Sequence, residues 1–197
     1  QMGWNRYVFL VDDNFIGNTR NAKLMLKQLI PWMEAHRYPF IFITEASLNL
    51  AEDDELIELM VKAGFTMVFM GIETPDTDSL VGIKKFQNTR TSLVESCDKI
   101  NRAGLQIMSG FIMGFDNEKA GAGQRIQSFI EETGIPQCHV SLLQALQNTA
   151  LWTRLQREER LMDGMGTVYQ GSIMNFRPTR PVEEITKEYI ETFWQIY

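Results

Sequence analysis

The sequence predicts an α/β fold with a parallel sheet, and three observations lead there. Short apolar runs begin at residues 7, 40, 67, 106 and 139, roughly thirty residues apart. Helical patterns of three or more turns fill the intervals between them. Three of those helices end on a glycine, at Gly64, Gly104 and Gly134, with the next strand only a few residues on. Strand, helix, glycine and strand again is the sequence pattern of βαβ units. The apolar runs are continuous rather than alternating, which predicts strands covered on both faces. The lengths suit either a (β/α) barrel or a doubly wound sheet.

The strands are expected at Tyr7–Val11 (YVFLV), Phe40–Thr44 (FIFIT), Met67–Met70 (MVFM), Gln106–Gly110 leading into FIMGF, and His139–Leu143 (HVSLL). The first helix, Thr19–His36, carries Leu24, Leu26, Leu29, Ile30 and Met33 at mostly helical spacing. The second, Asp53–Ala63, opens on acidic residues that suit the positive end of a helix dipole. Further helices are expected over Thr89–Ala103 and Gly121–Thr133, the glycines after them acting as C-caps. After Leu161 the stretch MDGMGTVYQGSIMNFRP is rich in Gly and Met and less regular, with a strand expected near Ser172–Phe176. A last helix runs from about Pro181 to Tyr197, with Ile185, Tyr189 and Phe193 at i, i+4 and i+8. The opening QMGW reads as the tail of an earlier helix, so a first element is expected to lie before this chain.

Composition narrows the function classes. A chain of 197 residues is long enough for one domain with a sizeable core. The net charge of −6, with both signs interspersed, argues against a nucleic-acid scaffold held by phosphate contacts. No apolar run reaches the roughly 18 residues of a membrane span, and the opening residues form no signal-peptide core. The two cysteines, Cys97 and Cys138, stand 41 positions apart and make no metal-spaced pair. They read as inert thiols of a cytoplasmic protein. His36 and His139 read as structural or surface residues, and the eleven methionines mostly as core filler.

Parallel barrels build their sites at the C-terminal ends of the strands, and here those ends are acidic. Asp12, Asp13 and Asn14 come after the first strand; Thr44, Glu45 and Ser47 after the second. Glu73 leads GIETPD after the third, Asp116 closes GFIMGFD after the fourth, and Gln144 and Asn148 lie beyond the fifth. Any one of them has a plainer reading. Asp13 or Asn14 can cap a helix, Asp116 can serve a turn, and Thr74 and Asp76 can cap the segment after Glu73. Four acidic strand ends in succession are harder to explain that way.

With DDNF, TEAS, GIET, GFIMGFD and LLQAL in this order, the chain resembles the radical S-adenosylmethionine (SAM) superfamily, and is most similar to its cobalamin-binding subgroup. The likeness runs from about Tyr7 to Trp152. It implies a partial (β/α)6 TIM-like barrel of parallel strands, its first strand missing, followed by an α-rich C-terminal extension. The barrel core would occupy residues 1–161 and the extension residues 162–197. The resemblance implies that Asp12, Asp13 and Asn14 hold the SAM amino group. It implies that Glu45 and Glu73 face its ribose or methionyl part. Gly110, Ile112 and Gly114 match a G-x-I-x-G motif beneath the adenine, and Leu143 and Gln144 lie where a strand backbone contacts that ring. The donor and acceptor chemistry agrees: an ammonium and ribose hydroxyls donate, and carboxylates accept strongly.

One departure is large. The family binds a [4Fe–4S] cluster through C-x-x-x-C-x-x-C after its first strand, and this chain has no such motif. The resemblance therefore implies that the first strand here is the family's second, with the cluster loop and any cobalamin domain upstream. The expected parent is an Fe–S oxidoreductase or methyltransferase, the chain alone being inactive. Its cofactors would be SAM, the cluster and cobalamin, its electron donor a flavodoxin or ferredoxin. Its substrate would be a small molecule; Trp152, Tyr169, Phe176 and Trp194 hint at an apolar or planar one but read more readily as core and helix-packing residues. Two other readings stand beside this one. One is a metal-dependent lyase or hydrolase using Asp13, Glu45, Glu73 and Asp116 as ligands. The other is a non-catalytic nucleoside-binding module.

Overall fold

The structure is a computed structural model that describes residues 5–76, 92–162 and 173–197. Five strands form one open sheet in the order β1-β2-β3-β4-β5, all parallel. They are β1 (Tyr7–Leu10), β2 (Ile41–Glu45), β3 (Phe65–Glu73), β4 (Gln106–Met113) and β5 (Gln137–Leu142). The helices are α1 (Thr19–Ala35), α2 (Asp54–Lys62), α3 (Leu93–Arg102), α4 (Ala122–Thr133), α5 (Ala150–Arg157) and α6 (Val182–Ile196), with a 3₁₀ turn at Leu48–Glu52. The α/β fold with its parallel strands agrees with expectation.

Local chemistry explains the helix ends. Asn18, Asp53, Ser92 and Thr149 each cap a helix by accepting a backbone N–H from its first turn. Gly64 and Gly104 end α2 and α3 at φ +94° and +101°, a conformation that costs other residues more. The pattern did not announce α5, because eight residues give too few turns for periodicity to register. The strand expected near Ser172–Phe176 does not form over its described part. Phe176 makes only an isolated antiparallel bridge to Leu161. Ser172, Tyr169, residues 89–91 and the QMGW opening lie outside the described residues.

The expectation that both strand faces are covered needs correction. Along β2 and β4 and most of β3, fully buried residues alternate with half-exposed ones, and β1 has no buried residue. Packing shields one face of β2, β3 and β4; the other stays half open although it carries Ile43, Met67, Phe69 and Ile112. A register shift between Phe42 and Ile43 leaves Thr66 unpaired, a bulge in β3.

The chain clusters into two compact units. The first spans residues 1–72, 86–109 and 132–138. Its core contains Leu26, Met33, Leu56, Met60, Phe65 and Ile100, all at most 1% exposed. Phe65 stacks obliquely on Phe15 and Phe42, with ring centres 5.3 and 5.2 Å away. Lys23 ties α1 to α2 through Asp53 and Glu55.

The second unit spans residues 73–85, 110–131 and 139–197, with Phe111, Met113, Leu155, Met174, Phe176 and Ile185 in its core. Helix α6 buries only part of the face its apolar spacing suggests. Ile185 and Thr192 are the buried pair, while Phe193 is 40% exposed. The cause is Gly123, whose missing side chain lets α6 come close. A Cβ there would stand 1.8 Å from the Thr192 hydroxyl.

Candidate functional site

In the first unit the loops after β1 and β2 are laced together. Phe15 donates its N–H to the Glu45 carbonyl at 2.9 Å. The Asn14 amide oxygen accepts from the Ser47 N–H at 3.1 Å and from its hydroxyl at 3.2 Å. Thr44, fully buried, donates its hydroxyl to the Leu10 carbonyl. The adjacent acids Asp12 and Asp13 part company here. Asp12 accepts the Asn14 N–H at 3.0 Å and so closes an Asx turn. Asp13 is exposed, and its carboxylate meets no donor among the described residues. The Glu45 carboxylate likewise meets none among them, on the half-open face of β2. Capping of α1 falls to Asn18, so neither Asp13 nor Asn14 is needed for it. Of the four candidates in this unit, Asp12 and Asn14 build the loops, and the Asp13 and Glu45 side chains have no partner among the described residues.

In the second unit Glu73 ends β3 with φ +68°, an uncommon conformation for a residue with a side chain. Thr74 closes the turn by accepting the Asp76 N–H, and Asp76 pairs both carboxylate oxygens with Arg125 at 2.7 Å. Gly110 and Ile112 occupy half-exposed positions of β4. Gly114 comes next at φ +100°, and a Cβ there would meet the Met174 methyl at 2.8 Å. Only glycine satisfies both demands. The Leu143 N–H donates to the Met113 carbonyl at 2.8 Å, extending the β4–β5 pairing past the strand end. The Gln144 amide donates to the Ile173 carbonyl at 2.6 Å, and Asn175 exchanges two 2.8 Å bonds with the backbone of Ala145.

Residue-type reasoning missed Glu118. It is buried, accepts the Gly114 N–H at 2.9 Å, and faces Arg180, which in turn pairs with Glu188. Burial pushes its carboxyl up to about 7, against the opposing pull of the Gly114 N–H and the Arg180 charge. The available signal was its place four residues after Gly114, inside the turn that leaves β4. Asp116 also has an answer. Burial raises its carboxyl, but the Arg160 and Arg154 guanidiniums outweigh that and hold it below the usual range. An acid held by two arginines is poorly placed to serve as a cation ligand. Among the described residues no group of three His, Cys, Asp or Glu side chains could hold a metal ion.

The cofactors implied by the resemblance fit unequally. A [4Fe–4S] cluster does not fit this chain's thiols. Cys97 is buried in α3 with its thiol pushed up to about 12 by desolvation, and Cys138 is half-buried in β5. SAM does fit the first unit in kind. Its ammonium and hydroxyls need acceptors, and Asp13 and Glu45 are acceptors without donors among the described residues. Of the aromatics that hinted at an apolar substrate, Phe176 is core, Trp152 half-buried, and Trp194 76% exposed on α6.

A family model described as a domain of unknown function (DUF4070) matches residues 149–197. The chain is 60% identical, over its whole length, to 37% of an uncharacterized methyltransferase of Synechocystis sp.. It is 41% identical over 79% of its length to 29% of the hopanoid C-2 methylase of Rhodopseudomonas palustris. The chain thus spans about a third of these curated relatives. Among solved structures, the radical SAM methyltransferase TsrM of Kitasatospora setae, with cobalamin and a [4Fe–4S] cluster bound, superposes with a TM-score of 0.64. That match has 19% identity and covers 95% of this chain and 37% of TsrM.

Proposed function

We propose, taking as premise that this chain is homologous to part of the radical SAM methyltransferases, that it forms a SAM-binding portion of an enzyme that methylates a small, largely apolar molecule. The observation that carries this is the pair of open carboxylates, Asp13 and Glu45, on strand ends that hydrogen bonds tie together. The neighbouring Asp12 has a structural partner; these two have none among the described residues. The Asp13 carboxylate takes the ammonium of the methionyl end, with Asp12 and Asn14 shaping its loop. Glu45 accepts from the ribose or methionyl part, and Glu73, held in a strained conformation, has the same assignment in its own unit. Gly110, Ile112 and Leu143 have the adenine as their assignment, whereas Met174 fills the space beside Gly114 and Glu118 takes its N–H. When bound there, SAM would supply a sulfonium whose methyl group is activated for transfer.

The residues of this chain bind and orient SAM. Redox chemistry belongs to groups that they do not hold. We assign the cluster, cobalamin and the contact with a flavodoxin- or ferredoxin-type electron donor to other parts of the enzyme. Incubation of this chain with iron and sulfide should give no stoichiometric [4Fe–4S] absorbance. The apolar substrate class draws support from the named methylase relative, and methyl transfer is favoured over oxidoreduction for the same reason.

The test is calorimetric titration of the purified protein with SAM, alongside thermal unfolding. Asp13→Asn and Glu45→Gln should each weaken binding roughly 10- to 100-fold, the worth of a charge-assisted hydrogen bond. Neither should lower the unfolding temperature. Unchanged affinity in both variants would overturn the assignment, as would a wild-type protein that does not bind SAM.

A further inference from the structure

The second unit contains a cavity that none of the cofactor assignments uses. Its volume is about 590 Å³, within the roughly 300–1,000 Å³ typical of small-ligand sites. Leu142, Ile173, Phe176 and Val182 supply apolar wall. Leu142 is the buried last residue of β5, whereas Leu143 is half-exposed. Adjacent strand residues point to opposite faces. The cavity therefore lies on the other side of β5 from Leu143, the residue assigned to adenine.

Among its described lining residues the charged side chains are all arginines. Arg177 and Thr186 line it, and neither side chain has a partner among the described residues. Arg180 also reaches it, but Glu118 and Glu188 hold that guanidinium. Among the described residues, no carboxylate lines the cavity. Apolar walls with an uncommitted guanidinium and hydroxyl suit a molecule with a hydrocarbon body and an anionic end, since Arg donates to carboxylates and phosphates in a fork. A cationic amphiphile would meet a like charge, and a purely apolar one would leave both groups unused.

We propose that this cavity is a second binding site, for an anionic amphiphile whose tail lies between Leu142, Ile173, Phe176 and Val182. Its carboxylate or phosphate head rests on Arg177 and Thr186. The site uses no residue assigned to SAM, so its failure would leave that assignment standing, and the reverse holds too.

The experiment is equilibrium binding of laurate, dodecyl phosphate, dodecanol and dodecyltrimethylammonium to the purified protein, each below its micelle concentration. Both anions should bind at least tenfold tighter than dodecanol, and the ammonium weaker still. The tighter of the two anions distinguishes a free fatty acid from a phosphate-headed lipid. Arg177→Gln should erase the preference for anions while leaving dodecanol affinity as it was. Ile173→Trp, at a position already 43% exposed and so tolerant of substitution, should fill the cavity and abolish binding of all four. If that variant unfolds, Val182→Trp serves the same purpose. The proposal is overturned if the ammonium compound binds as tightly as the anions. It is equally overturned if Arg177→Gln keeps the anion preference, or if the filled cavity still binds.

Discussion

Two sets of acidic loop residues look alike in the sequence and differ in the fold. In the first unit Asp13 and Glu45 stand open at the ends of β1 and β2. In the second, Asp76 is held by Arg125, Asp116 by Arg154 and Arg160, and Glu118 and Glu188 by Arg180. The difference is the supply of guanidinium. Arginines on α4, on and just after α5, and just before α6 fall within reach of the second set, and among the described residues none reaches the first. An acid after a strand is thus a binding group or a structural one according to what packs beside it. The inference to function belongs only where no partner arrives.

The comparison is broken most severely at Arg180. Its side chain is 14% exposed and faces Glu118, which is 1% exposed. Arg180→Ala would strand the buried Glu118 and the part-buried Glu188 and should cost about 3 kcal/mol of unfolding free energy in urea titration. A loss below ~0.5 kcal/mol would show that the second unit's pairs are as dispensable as exposed ones.

Next in size is Gly123→Ala, which forces a methyl against Thr192 and should cost roughly 1–3 kcal/mol by overpacking. Thr192→Ala in the same chain should recover most of it, because the hydroxyl is the atom met at 1.8 Å. Failure of that rescue would place the cost elsewhere than the α4–α6 approach.

A pH titration sharpens the contrast. Burial raises the Glu118 carboxyl from 4.5 to about 7, against the pull of Arg180 and with Glu188 and Arg125 nearby. The folded state therefore binds this proton more tightly than the unfolded state does. The resulting stabilisation is complete below pH 4.5 and is lost as pH rises through about 7. Asp116 and Glu188 are shifted the other way and lose their contribution only in acid. Stability should fall by ~1 kcal/mol per pH unit across the middle of that window, and Glu118→Gln should flatten it.

The smallest effects belong to the first unit. Asn14→Ala removes two hydrogen bonds to Ser47 and should cost about 1 kcal/mol. Asp13→Ala should change stability by less than ~0.5 kcal/mol, since nothing in the described fold leans on that carboxylate. A larger loss from Asp13→Ala would reveal a structural partner and remove the basis for treating it as a ligand contact.

Much of the fold was legible because it depends on local rules. Hydrophobic runs marked all five strands, an acidic first turn and a glycine stop located α2, and a glycine stop located α3, since caps and dihedral preferences act within a few residues. The site was legible only as a set of candidates. The pair Asp12 and Asp13 are neighbours of one type, yet one folds back on the Asn14 N–H and the other does not. Glu118 escaped notice because its role depends on Arg180, which lies 62 residues further along the chain.

The sequence by itself determined the alternation of strands and helices, the helix ends, and the acidic character of the strand termini, all properties of short segments. Tertiary structure alone decided which acids stay open, which face of α6 is buried, and that one face of the sheet is only half covered. Those outcomes turn on contacts between distant segments: a guanidinium that reaches a carboxylate, or a glycine that lets a helix approach. Local sequence carries no direct record of such contacts, because their energy exists only once the two segments have met.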